Sequence, residues 1–244
     1  MKVGVYVDAF NLYYGMRSHC GRGTSGWRWL DVRSLAESLC GWQDARIHRV
    51  VYCTAHVSPS DSQSAYDDQI IYLRALREHG SIDVLELGRY VARAKKAPLA
   101  TETRGGGPVI FVPNGTEYWS DTIPIQKVTE KDGSPKLLAT VRVREEKGSD
   151  VNVATHLLAD IYGGDVEAAI VISNDSDLAL PLKIARKLVP VGTVNPGNKP
   201  MAGALGGIPT EGAGRHWWRK LSDRQYREHQ MPESIARLRK PAGW

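Results

Sequence analysis

The sequence predicts an α/β fold, with a mostly parallel central sheet and helices on both faces. Three observations carry that expectation. Short unbroken apolar runs recur, as in Val3-Gly4-Val5-Tyr6-Val7 and Ala168-Ala169-Ile170-Val171-Ile172. Parallel strands buried on both faces read this way. Segments of helical period alternate with these runs, which is the order of a sheet built by crossover connections. The chain has 244 residues, enough to bury one large core without staples.

Residues 3–7 read as a first, central strand. Residues 31–40 read as a helix, with Asp31 as its cap and Val32, Leu35, Ala36 and Leu39 as one apolar stripe. Residues 46–54 form the next strand. Ser62 to Glu78 carries Ala65, Gln69, Ile70, Leu73, Leu76 and Arg77 at helical spacing, and His79-Gly80 ends it. Residues 82–91 give another strand.

The stretch from about 93 to 136 differs in character. It holds Arg93, Lys95, Lys96, Gly105-Gly106-Gly107, Pro108, Pro113, Pro124 and the run Lys131 to Lys136. It reads as an insertion of short strands and loops, too long for an idle connection and expected as a flap at the mouth of a site. Residues 137–144 alternate as a strand. Residues 150–161 form a helix with Val151, Val153, Ala154, Leu157, Leu158 and Ile161 toward the core. Strand 168–173, helix 176–188 and strand 189–194 follow. Residues 197–214 are rich in Gly, Pro and Ala and read as a loop. The end, from Arg215 to Lys240, is basic and partly helical. The expected organisation is therefore a domain over 1–196 with an insertion at about 93–136, then a loop and basic helical tail over 197–244.

Composition narrows the function. The formal net charge is +5 and the pI about 9.1, which suits a polyanionic partner such as nucleic acid. Cys20, Cys40 and Cys53 make no Cys-x-x-Cys pair, so no zinc site or disulfide framework is indicated. That usage points to a reducing, cytoplasmic compartment. No run approaches the ~18 apolar residues of a membrane span, and the N-terminus enters a strand without a signal-peptide pattern.

The acids carry the chemistry. Asp8 ends the first apolar strand, and Asn11 follows it. Asp150 opens a helix after Lys147-Gly148-Ser149. Asp175 and Asp177 follow the strand at 168–173. Open α/β sheets place ligand sites beyond the carboxyl ends of their strands, so these carboxylates are expected to converge. Crowded carboxylates repel unless a cation sits among them, and oxygen-only ligands suit Mg²⁺ or Mn²⁺. Each acid also has a plainer reading as a helix cap.

Asp8-Ala9-Phe10-Asn11-Leu12, Glu146-Lys147-Gly148-Ser149-Asp150-Val151 and Ser173-Asn174-Asp175-Ser176-Asp177-Leu178 together resemble the NYN branch of PIN-like nucleases, specifically the LabA-like group. The three blocks stand in that family's order, over most of the chain outside the 93–136 segment. The resemblance implies a Rossmann-like PIN fold, a divalent metal and cleavage of RNA. Two positions depart from it: His156 stands where many relatives carry an acid, and Leu178 replaces a common Phe. Asp160, one turn further on, is a candidate substitute for the missing acid.

The expected function is a metal-dependent endoribonuclease. Asp8, Asp150, Asp175 and Asp177 would hold one or two Mg²⁺ or Mn²⁺ ions, which would activate water and stabilise charge on phosphorus. Asn11 would hold a water of the ion's shell or a substrate oxygen. Ser173 and Asn174 would orient water or phosphate, and Lys147 would contact the scissile phosphate or pair with an acid. Arg89, Arg93, Lys95 and Lys96 would line a groove for the RNA backbone. The alternative is an inactive PIN-like RNA-binding or scaffold protein, for which His156 speaks. A phospho-acceptor domain is disfavoured by the Asp-x-x-Asn spacing. Homo-oligomerisation stays open.

Overall fold

The computed structural model describes residues 1–102, 106–115 and 117–244. Gly105, in the glycine run noted above, lies outside the described residues. The chain divides into two compact units, Met1–Tyr90 with Glu146–Trp244, and Val91–Glu145.

The first unit opens with β1 (Lys2–Asp8), α1 (Ala9–Cys20), α2 (Val32–Leu39), β2 (Arg46–Thr54), α3 (Gln63–Glu78) and β3 (Val84–Leu87). Helix α1 carries only a sparse apolar stripe, Ala9, Leu12, Met16 and Cys20, among polar and aromatic residues. Its start is fixed by Asp8, whose side chain accepts from the Asn11 backbone N–H at 3.0 Å. Such a cap is worth about 1 kcal/mol. The strand expected over 82–91 breaks at Gly88. There the backbone N–H donates to the Thr54 carbonyl. A Cβ at Gly88 would lie 2.6 Å from the Lys147 carbonyl oxygen and 2.7 Å from Glu146 Oε1, so only glycine allows this approach.

The second unit is built from β4 (Arg89–Pro98), β5 (Ala100–Thr101), β6 (Val109–Ile110), β7 (Ile125–Thr129) and β8 (Pro135–Lys147). β4, β8 and β7 form a three-stranded sheet in that order, and β5 pairs antiparallel with β6. The alternating strand expected over 137–144 is the middle of β8, so it belongs to this sheet rather than the main one.

The first unit resumes with α4 (Ser149–Tyr162), β9 (Ala168–Ile172), a 3-10 turn over Ser176–Leu178, α5 (Ala179–Leu188), β10 (Val191–Asn195), α6 (Gly203–Gly206), β11 (Trp217–Lys220), α7 (Asp223–Glu228), β12 (Ser234–Ile235) and β13 (Leu238–Arg239). Its six-stranded sheet has the order β11-β10-β9-β1-β2-β3, with every neighbouring pair parallel. The fold is therefore Rossmann-like α/β. Where a helical tail is expected, Trp217–Lys220 instead forms the edge strand β11. Leu221, Tyr226 and Met231 beyond it are buried in the core. Unpaired strand edges and apolar side chains both gain by docking here, which basic composition alone does not reveal.

The two faces of the sheet build separate cores. Val3, Val5 and Val7 of β1, with Ile170 and Ile172 of β9, pack with residues of α1, α2 and α3. Tyr6, with Val51, Cys53, Ala169 and Val171, packs with residues of α4 and α5. Successive strand residues point to opposite faces, and both faces are dry, which explains the unbroken apolar runs. Asp8 continues the parity of Tyr6, toward the face that α4 covers.

Candidate functional site

Asp8, Asn11, Glu146, Asp150, Asn174 and Asp175 line one cleft of about 450 Å³ at the carboxyl edge of the six-stranded sheet. Phe10, Tyr14, Gly15 and Ser18 of α1 and the segment around Asn195–Lys199 form its other walls. The cleft lies wholly within the first unit.

Each acid reaches the cleft for a local reason. Asp8 is only 4% exposed. One of its carboxylate oxygens caps α1, and the other accepts from the Ser173 hydroxyl at 2.9 Å. The same hydroxyl accepts from the Asp175 backbone N–H at 3.1 Å. Asp175 in turn accepts from the Asp177 N–H at 3.0 Å and starts the 3-10 turn. Asn11 accepts from the Asn174 backbone N–H at 2.9 Å, tying α1 to the loop after β9. Asn174 also spans to the Pro200 carbonyl and the Ala202 N–H. Asp150 is not the cap of α4. Gly148 takes that position with φ 103°, and Glu146 accepts from both the N–H and the hydroxyl of Ser149. The Asp150 carboxylate stands in the first helical turn and lines the cleft.

The electrostatics follow from burial first and crowding second. Desolvation pushes the Asp8 carboxyl up from 3.8 to about 6. The hydrogen bonds from Asn11 and Ser173 oppose this, while Asp175 and Glu146 add to it. Asp150 is pushed up to about 7, by desolvation and then by the charges of Asp8, Asp175, Glu146 and Asp177. The buried Cys53 thiol is raised to about 12, by burial and then by Glu86, Asp8, Asp150 and Glu146. Burial and the neighbouring acids both disfavour the charged forms of Asp8 and Asp150, which a cation between them would relieve.

Not every expected residue joins the cluster. Asp177 is exposed and reaches it only through its charge and the turn it shares with Asp175. Ser173 acts by positioning Asp8 and Asp175. Lys147 is exposed at the end of β8. Arg89 is exposed on β4. Arg93, in the second unit, is held by both oxygens of Glu145. Lys96 donates to Gln126, and Lys95 is exposed on the same strand. Asp160 is no substitute for the missing acid: it accepts from the Tyr6 hydroxyl at 2.9 Å and pairs with Arg49 at 3.3 Å. His156 faces Glu86 of β3 at 3.2 Å, and neither is among the residues that line the cleft. His19 packs against the Tyr226 ring.

Glu146 is the site residue that the sequence reading missed. Its signal was present, since it directly precedes Lys147-Gly148-Ser149-Asp150. Its place near the end of β8, rather than at a helix start, sets it apart from the other acids.

Among the described residues, no three His, Cys, Asp or Glu side chains form a ready cage for an ion. The donor chemistry still suits a magnesium-like ion. Mg²⁺ commonly takes one or two carboxylates and fills its shell with water and substrate phosphate. Asp8 and Asp150 offer hard oxygen donors in a cleft whose lining is short of basic groups, with Lys199 on the far wall.

No protein-family model matches the chain. The chain is 26% identical over 204 residues to 6-hydroxy-3-succinoylpyridine 3-monooxygenase HspA of Pseudomonas putida. The match covers 76% of this chain and 56% of that protein, so the chain spans about half the length of this curated relative. Among solved structures it is similar to a protein of unknown function from Vibrio parahaemolyticus, with a TM-score of 0.44 and 14% identity over 91% of this chain and 93% of that one. No described helix is long and apolar enough to cross a membrane.

Proposed function

We propose that the chain is a divalent-cation-dependent ribonuclease of the NYN and PIN-like type. One observation carries this reading: Asp8 and Asp150, from different elements, share a cleft and are both held above the ordinary carboxylate range.

Asp8 and Asp150 would hold Mg²⁺ or Mn²⁺, with Asp175 and Glu146 adding negative charge. The ion, when bound, would supply an activated water and neutralise charge on the phosphoryl oxygens. The remaining work falls to the chain. Ser173 fixes the orientation of the Asp8 carboxylate. Asn11 is anchored through its carbonyl oxygen to Asn174, which leaves its amide N–H groups to donate to a phosphate oxygen. Lys199 supplies a positive charge on the opposite wall for an anionic strand. The net charge of +5 offsets repulsion between the acidic cleft and RNA. The same reading would place the protein in the cytoplasm, where RNA is its partner.

A second reading has one observation in its favour, the similarity to a monooxygenase. The succinoyl group named for that relative's substrate carries a carboxylate, which an acidic cleft without a cation would repel. Two assays separate the readings. Labelled single-stranded RNA is incubated with the chain and Mn²⁺, with an EDTA control. Oxygen consumption is followed with 6-hydroxy-3-succinoylpyridine and a nicotinamide reductant, with and without added flavin, because insertion of one oxygen atom and reduction of the other to water takes two electrons from a donor. Metal-dependent cleavage without oxygen uptake supports the ribonuclease; oxygen uptake with intact RNA replaces it. RNA binding without either activity supports the scaffold alternative.

A further inference from the structure

The cleft continues well past its acids, along one face of α1. Phe10, Asn11, Tyr14, Gly15 and Ser18 fall on that face, because residues three and four apart on a helix lie side by side. The facing wall is pressed close. A Cβ at Gly15 would lie 2.6 Å from the Pro196 backbone, so only glycine lets the segment after β10 approach α1 this tightly.

That wall is fixed before any ligand arrives. The Asn195 side chain accepts from the Gly197 N–H at 2.8 Å and donates to the Lys199 carbonyl at 2.9 Å. Asn198 is tied to Ser18 through its backbone N–H at 3.2 Å and its side-chain amide at 3.3 Å. Lys199, at the end of this segment, is exposed and lines the cleft.

Tyr14 stands opposite, 56% exposed. A single exposed aromatic is ordinary. This one also has a ring and a cation as neighbours. Tyr13 meets its ring edge-on at 5.4 Å, and the Arg17 guanidinium lies 5.9 Å from its centroid. A flat ring in the open, with a cation over one face and Lys199 in the lining of the same cleft, has the parts of a single-strand binding site: a stacking surface and positive charge for the backbone.

We infer that Tyr14 is a stacking platform for an unpaired nucleobase, and that Lys199 receives the backbone phosphate beside it. The inference rests on the ribonuclease reading and deepens it. Tyr14 follows Asp8 by six residues, about 9 Å along the helix axis. The stacked base therefore belongs to a nucleotide near the bond being cut, not to the reacting phosphate. A base inside a duplex cannot leave its stack to reach Tyr14 without cost, so the nucleotide stacked there is an unpaired one.

Binding is measured by fluorescence anisotropy on the full chain carrying Asp8→Asn, which removes one repelling charge and suppresses cleavage. The probes are a labelled oligo(A), the same strand annealed to oligo(U), and an abasic strand of equal length. Adding Tyr14→Ala should weaken oligo(A) binding about ten-fold, while Tyr14→Phe should stay within about two-fold. The abasic strand should bind equally with and without Tyr14→Ala, and the duplex should bind more weakly than oligo(A). Lys199→Ala should weaken oligo(A) and abasic strands alike and reduce the salt slope by about one. Melting curves confirm that each variant is folded. Oligo(A) binding unchanged by Tyr14→Ala, duplex binding as tight as single-strand binding, or no binding of any probe would overturn the inference. RNA cleavage by the unsubstituted chain, assayed separately with Mn²⁺, distinguishes the two failures. Cleavage with binding indifferent to Tyr14 removes the platform alone. Binding that depends on Tyr14, without cleavage, removes the ribonuclease alone.

Discussion

Helix α4 carries an acid near each end, and the two do opposite things. Asp150 stands in its first turn, among Asp8, Glu146 and Asp175, and burial and like charges raise it to about 7. Asp160 lies ten residues on, about 15 Å along the axis. It is as buried as Asp8, each 4% exposed. Yet Asp160 has the Arg49 guanidinium and the Tyr6 hydroxyl against it. Burial alone therefore does not mark a site. A buried acid with a cation and a donor is part of the fold. A buried acid whose neighbours are also acids has a deficit that only something from outside the chain would fill.

The largest expected effect separates the two ends by activity. Asp8→Asn and Asp150→Asn should each lower metal-dependent RNA cleavage by about a thousand-fold or more, as removal of a group that stabilises transition-state charge does. Asp160→Asn should leave cleavage within a few-fold of the unsubstituted chain. Gel assays on parallel preparations with an EDTA control check this. Equal loss from all three would erase the distinction between site and scaffold.

Stability should divide them the other way. Asp160→Asn strips Arg49 of its counter-charge and should cost about 2 kcal/mol, less than for a fully buried pair because Arg49 keeps some solvent. Asp8→Asn removes a buried charge from an acidic cluster and should leave stability unchanged or raise it by about 1 kcal/mol. Urea unfolding at neutral pH measures both.

The smallest effect is in the pH dependence of the metal-free chain. Asp8 has its pKa raised from 3.8 to about 6, chiefly by desolvation. Between those values the folded state holds a proton that the unfolded state has lost. The contribution of Asp8 to stability is therefore full below about pH 4 and is lost as pH rises through about 6. Asp150 adds a change of the same sign, up to about pH 7. Asp8→Asn should gain on the unsubstituted chain as pH rises from 4 to 7 in chelator, and a constant difference across that range would contradict the cause assigned here.

Much of the first unit was legible in the sequence. The apolar runs and helical stripes place β1, β2, β9, α2, α3 and α4 to within a residue or two, because both faces of the sheet are buried and leave an unmixed signal. Asp8, Asp150 and Asp175 were legible by their position after strands or at a helix start. Three things were not. Helix α1 has too thin a stripe to stand out among Tyr13, Tyr14 and Gly15. The break at Gly88 depends on the close passage of Glu146 and Lys147, which are distant in sequence. The strand β11 depends on a free edge at β10, and local sequence cannot show an edge.

The central claim is that the cleft's carboxylates form a cation site, and calorimetric titration with Mn²⁺ tests it most directly. At pH 6.5, near the raised values of Asp8 and Asp150, binding should release protons, so the observed heat should change with the ionisation enthalpy of the buffer. Asp8→Asn and Asp150→Asn should each weaken binding at least ten-fold, while Asp160→Asn should bind as the unsubstituted chain does. No heat of binding, or equal affinity in the Asp150→Asn variant, would contradict the account.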